Sequence, residues 1–229
     1  MAAGDGRSRG PPLKVCVPVK IAIPLLSSAL LLAGCARTGE IDATGGISAI
    51  RSACPVVGVP AGAGDITLFD PPTSQAQSAL DATATITNVR GACNDGAGDI
   101  VTTVTFDVLA RRTRTEAARD LQLPYFITVV RGGNAVAAKQ IGQVALHFDA
   151  GQARAQTSAT ATATVSRAAA TLPPEIRERL TRRRRAGDED AAVDPLSQPE
   201  VRRAVLAASF EALVGFQLND AQLRYNATR

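Results

Sequence analysis

Apolar and polar residues alternate along the middle of the chain, and this period of two constrains the fold more than any other sequence feature. In residues 80–87, polar positions separate an apolar face made of Leu80, Ala82, Ala84 and Ile86. Later stretches repeat the pattern, with apolar faces built from Ile100, Val104, Phe106 and Val108, from Leu121, Leu123, Tyr125, Ile127 and Val129, and from Val144, Leu146 and Phe148. A period of two predicts strands that bury one face.

The last alternating stretch differs because its apolar face is almost entirely alanine. That face consists of Ala153, Ala155, Ala159, Ala161, Ala163 and Val165. Such small side chains predict that something bulky packs across from this strand. Two shorter apolar runs, Val56-Val57 and Ile66-Thr67-Leu68-Phe69, precede the alternating strands and are separated by glycine- and proline-rich turns.

Tight turns such as Asn94-Asp95-Gly96 and Arg131-Gly132-Gly133-Asn134 separate the strands. Six or seven strands at this spacing predict an antiparallel β-sandwich over residues 54–170, immunoglobulin-like or fibronectin-like in architecture. A small barrel is the alternative. Pro124 lies inside one predicted strand and favours an edge position or a bulge there.

The period changes beyond residue 170, so residues 171–229 are predicted to form a helical appendage of two or three helices packed on the sandwich. One helix begins at Leu172-Pro173-Pro174-Glu175, with proline in its first turn. A second follows the capping-box pattern Ser197-Gln198-Pro199-Glu200 and is predicted to end at Gly215. Asn219 or Asp220 is predicted to cap one further short turn.

Residues 1–34 have the layout of an export signal, and they end in Leu32-Ala33-Gly34 immediately before Cys35. Basic residues precede an apolar run of about 13 residues, which is shorter than the ~20 residues of a membrane-spanning helix. A membrane anchor or a core element is the alternative reading of this run. The motif Leu32-Ala33-Gly34-Cys35 resembles a bacterial lipobox, and the resemblance implies cleavage before Cys35 and acylation of Cys35.

The same resemblance implies a location. Ala36, rather than an aspartate, follows the cysteine, which by likeness to lipoprotein sorting signals favours the outer membrane with the domain facing the periplasm. Glycine, serine and threonine are frequent in residues 35–53 and predict a flexible tether. The stretch from Ser166-Arg167-Ala168 to Arg224-Tyr225-Asn226, extending back through Cys54, resembles a group of uncharacterised lipoproteins of Gram-negative bacteria. That second resemblance implies no particular chemistry.

Cys54 and Cys93 are the two cysteines that would remain after cleavage and lipidation, because Cys16 lies in the signal. In an exported protein a disulfide between them is expected. A metal site is the alternative, but two thiols and one distant histidine make a poor zinc set.

The charge balance argues against nucleic acid as a partner. The whole chain has 25 Lys and Arg and 21 Asp and Glu, of which residues 1–34 hold four basic residues and one acid. The remaining 21 basic and 20 acidic side chains leave a nearly neutral domain, which is not built to neutralise phosphates. The scarcity of aromatic residues, 3% of the chain, likewise argues against a carbohydrate-binding face.

Few residues qualify as catalytic candidates. His147 is the only histidine and falls on a polar strand face, with Asp149 and Ser158 nearby in sequence. A catalytic relay needs these groups to meet in space, so an ordinary surface histidine is the simpler interpretation. No hydrolase, metalloprotease or phosphate-loop motif occurs, and Gly62-Ala63-Gly64-Asp65 is interpreted as a turn.

The run Arg182-Arg183-Arg184-Arg185 is the most unusual local charge pattern. It is interpreted as a solvated helix end that pairs with the acids Asp188, Glu189, Asp190 and Asp194, and contact with anionic head groups is the alternative. The same acids lack the regular spacing of a calcium loop. We therefore expect no catalytic residue, no metal and no cofactor.

Taken alone, the sequence predicts a lipid-anchored periplasmic protein of the cell envelope with a structural or protein-interaction role. Its predicted contact with the membrane is through the N-terminal lipid. A small-ligand binding module and, less favoured, an envelope hydrolase are the alternatives. The expected site residues are Cys35 for lipidation and the pair Cys54 and Cys93 for the disulfide.

Lipidation of Cys35 can be tested directly in cells. Wild-type protein is expected to incorporate a fatty-acid analogue, and the Cys35→Ala variant is expected to lose that label, because its thiol carries the acyl glycerol. In-gel detection of the label measures the difference. Equal labelling of the two proteins would exclude the anchor.

Overall fold

The computed structural model describes residues 52–96, 98–182, 187–188 and 193–228. The predicted signal, Cys35, nearly all of the predicted tether, and Arg183 to Arg185 with Glu189 and Asp190 lie outside these ranges.

Over the described residues, eight strands form two four-stranded sheets. The strands are β1 (Val56–Gly58), β2 (Asp65–Phe69), β3 (Leu80–Asn94), β4 (Ile100–Arg112), β5 (Arg119–Arg131), β6 (Ala135–Phe148), β7 (Arg154–Val165) and β8 (Phe210–Phe216). Sheet I has the order β1-β8-β5-β6 and sheet II the order β2-β3-β4-β7. All pairs are antiparallel except β1 with β8, which is parallel. The predicted mainly β sandwich is confirmed, and the two sheets do not close into a barrel over the described residues.

Helices follow the sandwich strands, as predicted, and one also follows β8. They are α1 (Arg167–Ala170), α2 (Pro174–Thr181), α3 (Pro199–Ala207) and α4 (Asp220–Thr228), with single 3-10 turns at Gln77–Ala79 and Pro195–Ser197. The helix α4 packs against the edge strand β2, where the rings of Tyr225 and Phe69 meet edge to face with centroids 5.2 Å apart. Asn226 also donates to the backbone oxygen of Asp65 at 2.8 Å.

The core lies between the sheets and is built from the alternating positions that the sequence indicates. Its largest fully buried side chains include Phe106, Phe148, Phe216, Ile100, Leu123 and Leu146. Each such side chain contributes roughly 1.5–3 kcal/mol by leaving water. The apolar face of the strand therefore sets which side of each sheet faces inward.

A tyrosine provides the bulk that the alanine face of β7 requires. The ring of Tyr125 meets Phe106 of the opposite sheet edge to face, with centroids 5.2 Å apart. Its hydroxyl lies 3.5 Å from the backbone oxygen of Thr160 in β7. A Cβ on Gly142 would come within 2.6 Å of the Tyr125 ring, so this glycine is the residue that lets the ring lie flat against β6.

The second predicted helix was wrong beyond residue 207. It ends at Ala207, and Phe210–Phe216 form β8, a central strand between β1 and β5. Apolar residues all around a segment suit a strand buried on both faces as well as a buried helix, and periodicity does not separate the two. Phe210, Ala212, Val214 and Phe216 are all buried, which is a period of two.

The expectation of an edge position at Pro124 is met locally. β5 as a whole is a central strand, paired with β6 along its length and with β8 over its second half. Pairing with β8 begins only at Tyr125, and the backbone oxygen of Pro124 accepts from Gln217 just beyond the end of β8. The missing proline N–H therefore falls where the neighbouring strand has ended, at little cost to the sheet. The irregularity between β5 and β6 lies elsewhere: Val129 pairs with Ala138 and Val130 with Val136, so the extra residue is Ala137 of β6.

The structure forms the expected disulfide between Cys54 and Cys93, with Cα atoms 6.0 Å apart. Cys93 lies at the end of β3, opposite Thr102. Cys54 precedes β1 of sheet I, so the bridge joins the two sheets. Val57 of β1 packs so closely on Gly91 of β3 that a Cβ there would come within 2.5 Å of Val57.

Loss of this bridge should destabilise the domain. We expect a Cys54→Ser/Cys93→Ser double variant of the exported protein to lose about 2–5 kcal/mol of unfolding free energy, because the unfolded chain gains freedom. Urea denaturation of both proteins measures this difference. Reductant should lower the wild-type midpoint and leave that of the variant unchanged; an identical midpoint for wild type and variant without reductant would contradict the expectation.

Candidate functional site

A buried arginine organises one end of the sandwich. Arg112 ends β4 and is only 4% exposed. Its guanidinium donates to four backbone oxygens, those of Gln152 (2.9 Å), Ala117 (2.7 Å), Thr115 (3.3 Å) and Asp149 (2.8 Å). It also lies 5.0 Å from the centroid of the Phe148 ring. These contacts hold the β4–β5 and β6–β7 connections together around one charge.

A buried carboxylate lies at the same end. The Asp81 side chain is 7% exposed and accepts two hydrogen bonds of 2.8 Å from Arg119. Arg114 donates to the same carboxylate at 3.0 Å and to Asp70 at 2.6 Å. The hydrogen bonds from Arg119 hold the pKa of Asp81 below its ordinary value of 3.8, although burial opposes the shift.

These two groups are structural, because their hydrogen-bonding capacity is used by the fold itself. The alternation of β4 continues through Val108 and Ala110 to Arg112, so the period of two already placed this arginine on the inner face. No such sequence pattern marks Asp81, because it lies on the polar face of β3. Its carboxylate is buried in contact with the arginines that bind it.

His147 lies on an exposed face and contacts two carboxylates. Its Nδ1 is 2.7 Å from Asp120, the residue opposite on β5, and its Nε2 is 3.4 Å from Asp149. The hydrogen bond with Asp120, followed by the charge of that carboxylate, raises the pKa of His147 above 6.5. A raised pKa means that this contact stabilises the fold while the imidazole is protonated and weakens as pH rises through the folded-state pKa.

Ser158 does not join His147. Its hydroxyl donates to Asp107 at 2.7 Å on the outer face of sheet II, and the other oxygen of Asp107 accepts from Asn88 at 2.8 Å. These two hydrogen bonds, that from Ser158 first, lower the pKa of Asp107. Asn88 has a φ of 52° and lies in the β3 bulge, which directs its amide toward Asp107. The three groups therefore form a closed polar cluster and not a nucleophile with its base.

The other predicted charge features lie mostly beyond the described residues. Arg182 follows α2, and Asp194 caps a 3-10 turn by accepting from the backbone of Leu196 at 2.9 Å. No group of His, Cys, Asp or Glu in the described ranges is arranged to hold a metal ion. None of the helices in the described part of the chain has the length and apolar character that a membrane crossing needs.

The first half of β6 is poorly protected from water. Residues 135–141 are exposed on both faces, with Val136 66% and Ile141 63% exposed. The only charge among them is Lys139, whose ammonium lies 4.8 Å from the Phe126 ring centroid. Within the described chain, β6 pairs with β5 alone, so its outer edge presents unpaired backbone donors and acceptors. The signal in the sequence is the loss of alternation in residues 135–141, which the sequence analysis missed.

No protein-family model, curated protein or solved structure matches this chain.

The buried ion pair yields a stability prediction. We expect Asp81→Asn to lower the unfolding free energy at neutral pH by about 2 kcal/mol, because two arginines lose their charged partner. Since the pKa of Asp81 is lowered, its contribution is complete above pH ~4 and is lost as pH falls through the folded-state value. Denaturation at pH 7 and pH 2 should show the gap closing at low pH.

Asp120→Asn is the matched control, because the Asp120 side chain is 77% exposed. Its loss should cost less than about 1 kcal/mol at pH 7. Equal effects of the two substitutions would show that burial of Asp81 is not what matters.

Proposed function

We propose that this is a lipid-anchored periplasmic protein of the cell envelope that binds another protein through the free edge of β6. One observation carries the interaction role, the two-sided exposure of residues 135–141 along an unpaired strand edge. The partner is a protein that supplies an extended, largely apolar segment.

Backbone chemistry supports this mode of binding. An exposed strand edge carries a row of N–H and C=O groups that an extended segment satisfies by adding one more strand. Natural proteins normally protect such an edge with charges, bulges, prolines or a covering element. Residues 135–141 have two such features, Lys139 and a bulge at Ala137, but they contain no proline and the described chain does not cover their edge.

The side chains supply the selectivity. Ile141 and Val136 project from the strand as exposed apolar groups, and the small Ala137 and Ala138 lie between them. An added strand would bury these groups together with its own apolar side chains, at roughly 25 cal/mol per Å² removed from water. Alternating apolar positions in the partner therefore fit the site best.

Support for the envelope location comes from two features of the chain. The signal layout and the lipobox resemblance imply export and anchoring through Cys35. The Cys54–Cys93 bridge suits an oxidising compartment, where structural disulfides persist.

The geometry favours the interaction role over the two alternatives. His147 meets two carboxylates, but Ser158 is committed to Asp107, so no relay for hydrolysis is assembled among these residues. The space between the sheets is filled by fully buried side chains such as Phe106, Phe148 and Phe216. An apolar ligand between the sheets would have to displace this packing.

Site-specific photo-crosslinking in cells tests the proposal. A photoreactive residue placed at Ala137 should give a protein adduct in the native envelope, and Val136→Lys/Ile141→Lys should reduce that adduct about tenfold, equivalent to about 1.4 kcal/mol. Introduced lysines oppose strand addition without touching the core. Mass spectrometry of the adduct identifies the partner and reveals whether it is a second copy of this chain.

The matched control is Leu196→Lys/Leu223→Lys, which adds the same charge at positions 42% and 47% exposed. This variant should crosslink like wild type. Absence of any adduct at Ala137, or equal loss in both lysine variants, would overturn the proposed use of the β6 edge.

A further inference from the structure

Two arginines face each other on the outer surface of sheet II. Arg111 of β4 and Arg154 of β7 are directly opposite in the antiparallel register, and both are exposed. Like charges directly opposite across two strands destabilise a sheet. Within the described chain neither side chain has an ion pair or a hydrogen bond, so nothing there offsets their repulsion.

The surroundings of this pair are neutral and rich in donors. A shallow depression of about 640 Å³ is lined by both arginines together with Thr83, Thr85, Leu109 and Gln156, among others. The nearest acid on this face by register is Asp81, two residues from Thr83, and its carboxylate is bound by Arg119 and Arg114. Asp65 lies one strand farther away and accepts the hydroxyl hydrogen of Thr85 at 2.6 Å. Leu109 is 47% exposed and gives the depression an apolar side.

The backbone beneath both arginines is held rigidly. The neighbour Arg112 is buried, and its backbone N–H donates to Ala153, the residue before Arg154, at 2.9 Å. Its guanidinium binds the Gln152 oxygen in the same loop. One buried group therefore fixes where both exposed arginines leave the sheet, and a site on such a fixed frame is pre-organised.

We infer that Arg111 and Arg154 bind the phosphoryl group of an organic phosphate. Two guanidinium forks offer parallel pairs of donors to a tetrahedral oxyanion, and such pairing is bidentate and directional. The Thr83 hydroxyl and the Gln156 amide lie within the same depression as donors for the remaining oxygens. A carboxylate has only two oxygens and would leave donors of one arginine unused.

Leu109 defines the second part of the ligand. An apolar group beside the phosphate would cover this exposed leucine, so phosphate esters should bind more tightly than inorganic phosphate. A soluble ester and a lipid head group share this chemistry. The site does not involve the β6 edge, which lies on the other sheet.

Calorimetric titration of the folded mature chain tests the site with defined probes. Phenyl phosphate should bind saturably, with inorganic phosphate weaker and benzoate at least about tenfold weaker. Vesicles of phosphatidylglycerol, with phosphatidylcholine as the neutral control, form a separate arm. Binding of phenyl phosphate supports a soluble ester as the source, and binding of phosphatidylglycerol vesicles alone supports a lipid head group.

The variants separate a defined site from diffuse charge. Arg111→Gln and Arg154→Gln should each weaken binding of the active probe at least about tenfold, and Arg111→Lys should weaken it by an intermediate factor because lysine has no fork. Arg203→Gln removes the same charge from an exposed position on α3 and should bind like wild type. Thermal unfolding of Arg111→Gln and of Arg154→Gln should match or exceed wild type, since each removes one of the two opposed charges. No binding of any probe, equal binding of benzoate, or an equal loss in Arg203→Gln would overturn the site.

Discussion

The burial of one guanidinium shapes the whole end of the sandwich at which β4 ends and β5 and β7 begin. Arg112 occupies a position that the alternation of β4 assigns to the core, and a charge there is tolerated only if its donors are satisfied. Four backbone oxygens and the face of Phe148 meet that requirement. Both connections at this end must therefore converge on a single point, and the positions of Asp149 and Arg154 follow from it.

The edge strands of the two sheets differ in how they are protected from further strand pairing, and β6 is distinctive among them. β1 is a three-residue edge, and β2 is covered by α4 through Tyr225 and Asn226. β6 has fourteen residues and neither protection in its first half. β7, the fourth edge strand of the described sheets, also pairs on one side only, but its inward-facing residues are half-buried or buried. The first half of β6 differs because it is exposed on both faces along its free edge, which is consistent with a binding edge.

Sequence patterns predicted most of the strands well, because burial of one face imposes a period of two that can be seen in the sequence itself. They predicted the Cys54–Cys93 pair by elimination. They failed for β8, whose period of two covers only seven residues and directly follows the helical pattern of α3. Pro124 was placed correctly at a local edge, but where β8 ends depends on pairing between distant strands. The position of Arg111 opposite Arg154 could not be predicted from the sequence either, because register between strands is set by their pairing and not by local spacing.

The parallel pairing of β1 with β8 has a consequence for how the chain acquires its structure. The first strand of the fold finds its partner only in the last, and β8 also separates β1 from β5 in the middle of sheet I. Contacts between residues this distant in sequence form slowly during folding. Sheet II can assemble from the β2–β3 and β3–β4 hairpins and then add β7 beside β4, whereas sheet I stays incomplete until β8 is available. Until then β5 exposes a long apolar edge, so the nascent domain depends on protection from its surroundings in a way that the finished one does not.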